Sequence, residues 1–233
     1  EGLGKSGIDA VSLANNHSRD FGLDGLAQTK TNLEASGITY FGDYSNLNGV
    51  SSIKDIDGVK IAFVGFHEFS YTGRQETLDA ITQASKEADA VIVYPHWGPE
   101  YQPLPSTNQV ILAHQFIDAG ADVVLGSHPH VVQPVEVYKN KLIVYSMGNF
   151  VFDQQFSQAV KNGLSIGLTV TQKGLKNKGI EVSLFPYSIS PTFQVEWYQP
   201  NKAAAFFVDY AKRSNVSDVI ATDMSDGHFI IAP

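Results

Sequence analysis

The chain has 233 residues, 43% of them hydrophobic and 17% charged. This is the profile of a folded globular protein with ample length for a buried core, and it excludes an intrinsically disordered one. Sixteen basic against 24 acidic residues give a net charge of −8. With no dense Lys/Arg block, that argues against nucleic acid as a partner.

An anionic polymer would need a local basic or metal-rich site. No cysteine is present, which excludes disulfides and thiolate metal ligands, so a metal would be held by His, Asp, Asn or Glu. No apolar run approaches the ~20 residues of a membrane span. The sequence begins at Glu1 without a signal peptide and reads as a piece of a longer protein, with any leader or anchor upstream.

Taken in chain order, residues 8–15 (IDAVSLAN) read as a buried strand running into a loop. Residues 23–37 read as a helix, with Leu26 and Leu33 on one face, Asp24 in its first turn and Gly37 as its stop. Residues 38–43 make a short strand, and residues 59–66 (VKIAFVGF) a continuous apolar run of the kind found in central strands. A helix over about residues 77–88 leads into a buried strand, 89–98 (DAVIVYPHWG). Residues 106–120 form a capped helix with Val110, Ile111, His114 and Ile117 on one face and Gly120 at its end.

Strands follow at 122–128 and 141–152, the latter with Phe150 and Phe152 sharing a core-facing side. Residues 164–172 and 179–189 alternate as an antiparallel pair joined by a basic turn, 173–179. Residues 201–214 read as a late helix. Alternating β and α first, then β-rich pairing, predicts one layered α/β domain with mixed sheets over residues 1–233.

Polar residues recur just beyond the C-terminal ends of the apolar strands: NNHSRD (15–20), PHWGPE (95–100), SHPH (127–130) and MGNFVFD (147–153). Ligands in α/β sheets bind outside the carboxyl ends of the strands, so these loops are expected to converge on one cleft. Imidazole is the commonest protein ligand for divalent transition metals. His128 and His130, alternating across Pro129, could grip one ion, reach two, or be loop histidines.

Asn15, Asn16 and His17 read either as site residues or as an Asn-rich turn, and His96 as a ligand or a packed core histidine. Trp97, Glu100 and Tyr101, on a proline-stiffened loop, are expected to border a substrate channel. There Glu100 would repel a polyanion unless a metal, Arg19 or Arg74 compensates. Asn149 offers a polar group at a strand end. His67 borders the cleft or merely decorates a loop, while His114 and His228 read as structural.

Four segments together, SLANNHSRDFG (12–22), YPHWGPEYQPLPS (94–106), GADVVLGSHPHVVQPVEVY (120–138) and YSMGNFVFDQ (145–154), resemble in order the CapA/PgsA family. These are bacterial capsule and poly-γ-glutamate synthesis proteins, related to calcineurin-like metallophosphoesterases. The resemblance runs from about residue 8 to 155. It implies a layered α/β/β/α metallophosphoesterase-like sandwich with mixed sheets, lacking its N-terminal strands here, and a two-metal site at the strand ends.

By this resemblance Asn16 and His96 match metal ligands, and His128 and His130 the paired histidines, one to each ion. His17 matches the histidine that assists catalysis, and Asp20 or another carboxylate would hydrogen-bond it. Asn15, Arg19, Trp97, Glu100, Tyr101 and Asn149 would line the substrate. Mixed His, Asn and carboxylate ligands suit Mn, Fe or Zn.

The superfamily's first two acidic motifs would fall upstream of residue 1, so these residues carry the nitrogen-rich part of the site without the bridging carboxylate, and weak or no occupancy is expected. The resemblance implies a capsule or poly-γ-glutamate biosynthesis or export protein on the extracellular face of the bacterial membrane. It would be anchored by a segment outside this chain, with an acidic polymer and capsule-synthesis membrane proteins as partners. The alternative is a divalent-metal-dependent phosphoesterase acting on a small or surface-polymer phosphoester.

Overall fold

Two near-continuous apolar runs, 59–67 and 90–96, form the centre of the fold. Ala62, Val64, Ala90, Val91 and Val93 are fully buried. Each fully buried valine is worth roughly 1.5–3 kcal/mol relative to exposure. The computed structural model describes residues 2–46, 49–69, 73–170 and 179–232. All but the last residue of the expected basic turn at 173–179 lies outside the described residues.

In chain order the elements are α1 (Gly2–Lys5), β1 (Ala10–Ser12), α2 (Gly22–Ala35), β2 (Thr39–Phe41), β3 (Ser51–Ile56), β4 (Val59–His67), α3 (Arg74–Glu87), β5 (Ala90–His96) and α4 (Thr107–Ala119). They continue with β6 (Val123–Leu125), β7 (Val135–Tyr138), β8 (Lys141–Val144), β9 (Asn162–Thr169), β10 (Ile180–Ile189), β11 (Val195–Trp197), α5 (Pro200–Arg213), α6 (Asp218–Met224) and β12 (His228–Ile231).

Among the described residues the strands form a mixed six-stranded sheet in the order β3-β4-β5-β6-β8-β7, with β4, β5, β6 and β8 parallel. A four-stranded antiparallel sheet is built on β10, and β1 and β2 make a small parallel pair. One face of the large sheet packs through Ile61, Ile92, Val123 and Val144 on Leu164, Val182 and Phe229 of the second sheet, closed by Tyr210 and Met224 from α5 and α6. Its other face packs through Val64, Val93, Val124 and Ile143 on Ile81 of α3 and Leu112 and Phe116 of α4. This is a layered, mixed α/β sandwich.

The start and stop signals of α4 act as its sequence implies. Ser106 Oγ accepts from the Gln109 amide, and the Gln109 side chain accepts from the Ser106 amide, a closed capping box. Gly120 ends the helix at φ +117°. The buried face is Gln109, Leu112, Ala113, Phe116 and Ile117, one residue round from the expected stripe, so Ile111 is exposed. The large rings decide this: Phe116 must reach Phe66 and Trp97 on the sheet.

Three other expectations are corrected. β1 covers only residues 10–12 and is half-buried, because β2 is its one pairing partner among the described residues. The strand expected at 141–152 stops at Val144. Gly148, at φ +73°, turns the chain so that Asn149 points inward, while Phe150, Val151 and Phe152 stay exposed rather than entering the core.

Candidate metal centre

The sheet register brings the histidines together. β4 and β5 run parallel with His67 directly opposite His96, and His96 in turn bridges to Ser127 beyond β6. The loop after β1 folds over the same edge. There Asn16 Oδ1 meets His96 Nε2 at 2.9 Å. Ring centroids lie 4.6 Å apart for His96 and His128, 5.8 Å for His128 and His130, and 6.0 Å for His67 and His96.

A pocket of about 350 Å³ opens beside them, lined by Asn15, Asn16, His17, His96, His130 and Phe152 among others. Across the Asn15–Asn16 loop a second cavity, about 300 Å³, is lined by Arg19, Asp43, His67 and Phe69.

The turn that carries the histidine pair is strained. His128 (φ +95°), His130 (φ +61°) and Tyr101 (φ +62°) all occupy the left-handed region without being glycine. Such residues cost roughly 1–3 kcal/mol each and persist only where the surroundings impose them. Here the backbone does so: Ser127 N donates to Pro95 O (2.8 Å), Trp97 N to Ser127 O (3.1 Å) and Tyr101 N to Pro129 O (2.8 Å).

Asn149 is a buried positioning residue rather than an open strand-end group. Its Oδ1 meets His130 Nδ1 at 2.7 Å, and its Nδ2 donates to Val160 O at 3.0 Å. That fixes the imidazole plane and leaves Nε2 facing the cleft. A ring held through one nitrogen so that the other is presented is the usual arrangement behind a metal-binding histidine.

The electrostatics fit a cation. Burial first, then His128, His67, His130 and His17, push the His96 pKa down to about 3. Burial likewise lowers those of His67 and His128. These three imidazoles are therefore neutral at physiological pH, with lone pairs available. His128 Nδ1 and His67 Nε2 are buried nitrogens without a hydrogen-bond partner among the described residues, and such orphaned groups call for a ligand or a water.

A pH consequence follows. Between pH 6.5 and about 3 the unfolded chain protonates His96 while the folded chain does not. Stability is thus level above this window and falls as pH drops through it. In His96→Gln the pH slope of the urea-unfolding free energy between about pH 6 and 4 should flatten by up to about 1.4 kcal/mol per pH unit. An unchanged slope would show that His96 is not the group held neutral.

His17 Nδ1 lies 2.9 Å from Asp20 Oδ2, both well exposed. Asn15 caps its own turn, its Oδ1 accepting from the His17 amide at 2.9 Å, while also lining the pocket. Glu100 Oε1 stands 3.9 Å from His130 Nε2. The Tyr101 ring stacks 5.8 Å from His130 and meets Phe156 edge-on at 5.2 Å.

Trp97, expected at the channel border, is instead fully buried with Nε1 donating to Tyr145 O at 2.9 Å. It fills the core behind the site because the next backbone position, Gly98 at φ +78°, turns the chain outward only after it. Arg74 hydrogen-bonds Gln115 on the helical side, away from both cavities. His114 stacks on Tyr138 at 3.8 Å and pairs with Glu136, and His228 pairs with Glu181, so both are structural.

His67 and Phe69 belong to the cluster more fully than the sequence indicated. Phe69 packs 4.6 Å from His128. The available signal was that 59–67 and 90–96 are adjacent apolar runs, each ending in histidine.

Residues 1–154 match the family model of the bacterial capsule synthesis protein PGA_cap. The chain belongs to this family. The capsule biosynthesis protein CapA of Bacillus anthracis is 36% identical over 69% of the chain and 44% of that protein. The PGA biosynthesis protein CapA of Bacillus subtilis (strain 168) is 38% identical over 66% of the chain and 45% of that protein. A probable polyglutamine synthesis accessory protein of Mycobacterium tuberculosis is 28% identical over 62% and 45%.

The chain's match thus spans less than half the length of these curated relatives. Within the PGA_cap match lie β1 to β8 and every residue of the histidine cluster, whereas β9 to β12 fall beyond it.

Proposed function

We propose that this chain is the cleft-bearing part of a capsule or poly-γ-glutamate synthesis or export protein that engages an acidic polymer through a divalent cation. Asn16, His96, His128 and His130 would hold the ion, and Mn, Fe or Zn suits such a donor set. The observation that carries this reading is the convergence of these four side chains from three separate strand ends, with a buried His128 nitrogen left unpartnered among the described residues.

A bound cation would supply Lewis acidity and positive charge for carboxylate or phosphate oxygens. The protein itself offers little of that charge. The chain is at −8, and the lowered His96, His67 and His128 are uncharged. Attraction of a polyanion therefore rests on a local positive focus.

Among the described residues no helix is long and apolar enough to cross a membrane. The surface location, the anchor outside this chain and the capsule-synthesis membrane partners belong to the same proposal.

A second reading, a metal-dependent phosphoesterase, is favoured by the exposed His17–Asp20 pair. A carboxylate-oriented imidazole at a cleft mouth is placed to protonate a leaving oxygen.

Titrating poly-γ-glutamate into the full-length protein, with and without chelator, tests both. Binding should require the divalent ion, weaken with salt, and drop ~10-fold or more in His128→Ala. Chelator-insensitive binding rejects the proposal. Absent polymer binding together with turnover of a small phosphodiester selects the second reading.

A further inference from the structure

We propose that Glu100 is a carboxylate ligand of the metal centre, completing with His128 and His130 a three-donor site supplied by this chain alone. The inference rests on the metal-dependent reading above and assigns Glu100 a role other than bordering a substrate channel. One carboxylate oxygen of Glu100 and one ring nitrogen each of His128 and His130 lie within 4.8 Å of one another. Donors around one tetrahedral ion at 2.0–2.2 Å sit roughly 3.3–3.6 Å apart. The three donors already stand close to the spacing that one ion requires.

The backbone places this carboxylate deliberately. Gly98 at φ +78° and Tyr101 at φ +62° bend the loop back, and Tyr101 N clasps it to Pro129 O at 2.8 Å, between the two histidines. The Tyr101 hydroxyl is held in turn, accepting from Gln154 Nε2 at 3.0 Å. His130 is oriented from behind by Asn149 at 2.7 Å, so its Nε2 is the atom turned toward Glu100, 3.9 Å away. His128 has a buried Nδ1 with no hydrogen-bond partner among the described residues.

Charge supplies the remaining argument. Among the described residues no Lys or Arg pairs with Glu100, whose ion-pair contact is His130. A bare carboxylate at the mouth of a site for an acidic polymer opposes binding. With a divalent ion on it, the net charge at that point becomes favourable, so the same residue that repels an anion in the metal-free cleft helps to hold one in the loaded cleft.

The test uses the full-length protein stripped of metal, with Co²⁺ as the probe followed by its visible absorption, and Zn²⁺ competing for the same site. Glu100→Gln and Glu100→Ala should each weaken Co²⁺ binding ~10-fold or more and shift its absorption bands, since an oxygen donor is lost. Glu100→Asp should recover part of the affinity. Glu181→Gln, which disrupts a remote His–Glu pair, should leave both readouts unchanged.

Glu100 is exposed (side chain 43%), so its variants should keep the parent far-UV circular dichroism. Binding by the parent with Glu100→Gln and Glu100→Ala both within about twofold of it overturns this assignment and leaves the metal-dependent reading standing. No Co²⁺ or Zn²⁺ binding by the parent overturns both.

Discussion

Replacing Gly126 with alanine is expected to destabilise the protein by about 2–4 kcal/mol and to displace the histidine turn that begins two residues later. A methyl group at this position would stand 2.0 Å from the Tyr145 carbonyl oxygen and 2.7 Å from both Tyr145 C and Trp97 Nε1. The first two obstacles are backbone, which no rotamer change relieves.

Nor can the strand slide. Gly126 N donates to Val144 O at 2.7 Å, and Met147 N donates to Gly126 O at 3.1 Å. Overpacking a rigid site costs typically 1–3 kcal/mol, and separating Trp97 from its acceptor adds about 1 kcal/mol. Urea unfolding gives the stability, and Co²⁺ titration gives the consequence for the site. An alanine variant that loses less than about 1 kcal/mol would mean that β6 and β8 are not clamped here as described.

Gly126 also marks where reading the sequence gave out. A glycine before Ser127-His128 is visible in the chain, but the carbonyl it abuts belongs to a residue 19 positions later, and nothing local encodes that approach. What was legible was periodic or punctuated. The apolar runs of β4 and β5 and the Ser106/Gln109 box of α4 each carry their cause within a short window.

Strands with a mixed face did not announce themselves. β3, SSIKDI, is half exposed because it forms the sheet edge, and β7 and β12 are four residues each.

At the site, the loops beyond strand ends were legible because each follows a buried apolar run, whereas the ligand roles of Asn16, His96, His128 and His130 rest on the family resemblance. Which neighbours of those residues face the cleft was not legible. The chain between His96 and Tyr101 reverses direction at Gly98, so Trp97 enters the core while Glu100 returns to His130. Gly148 likewise inverts the alternation at 149–152, turning Asn149 in and both phenylalanines out. His67 reads as a cleft border or a loop residue because only the register across two strands, not its own neighbourhood, puts it opposite His96.

Trp97→Ala should then behave as a core mutation and not as a substrate mutation. The indole is fully buried, stacked 6.1 Å from Phe116 of α4 and 6.2 Å from Tyr145 after β8, with its Nε1 on Tyr145 O. Truncating such a tryptophan typically costs 3–5 kcal/mol, which in a chain of this size lowers the melting temperature by roughly 6–20 °C.

Trp97→Phe keeps most of the volume and strands only the Tyr145 carbonyl, so the expected cost is about 1–3 kcal/mol. Because the ring lies behind the histidine turn, folded Trp97→Phe should bind divalent ion and polymer as the parent does, within about twofold. The pair of measurements separates the two possible places for the indole. If Trp97→Ala melts within a few degrees of the parent yet loses polymer binding, the ring is bordering substrate and the packing described here is wrong. If stability collapses while the Phe variant binds normally, the wedge between α4 and β8 is what holds the strained turn in its metal-ready shape.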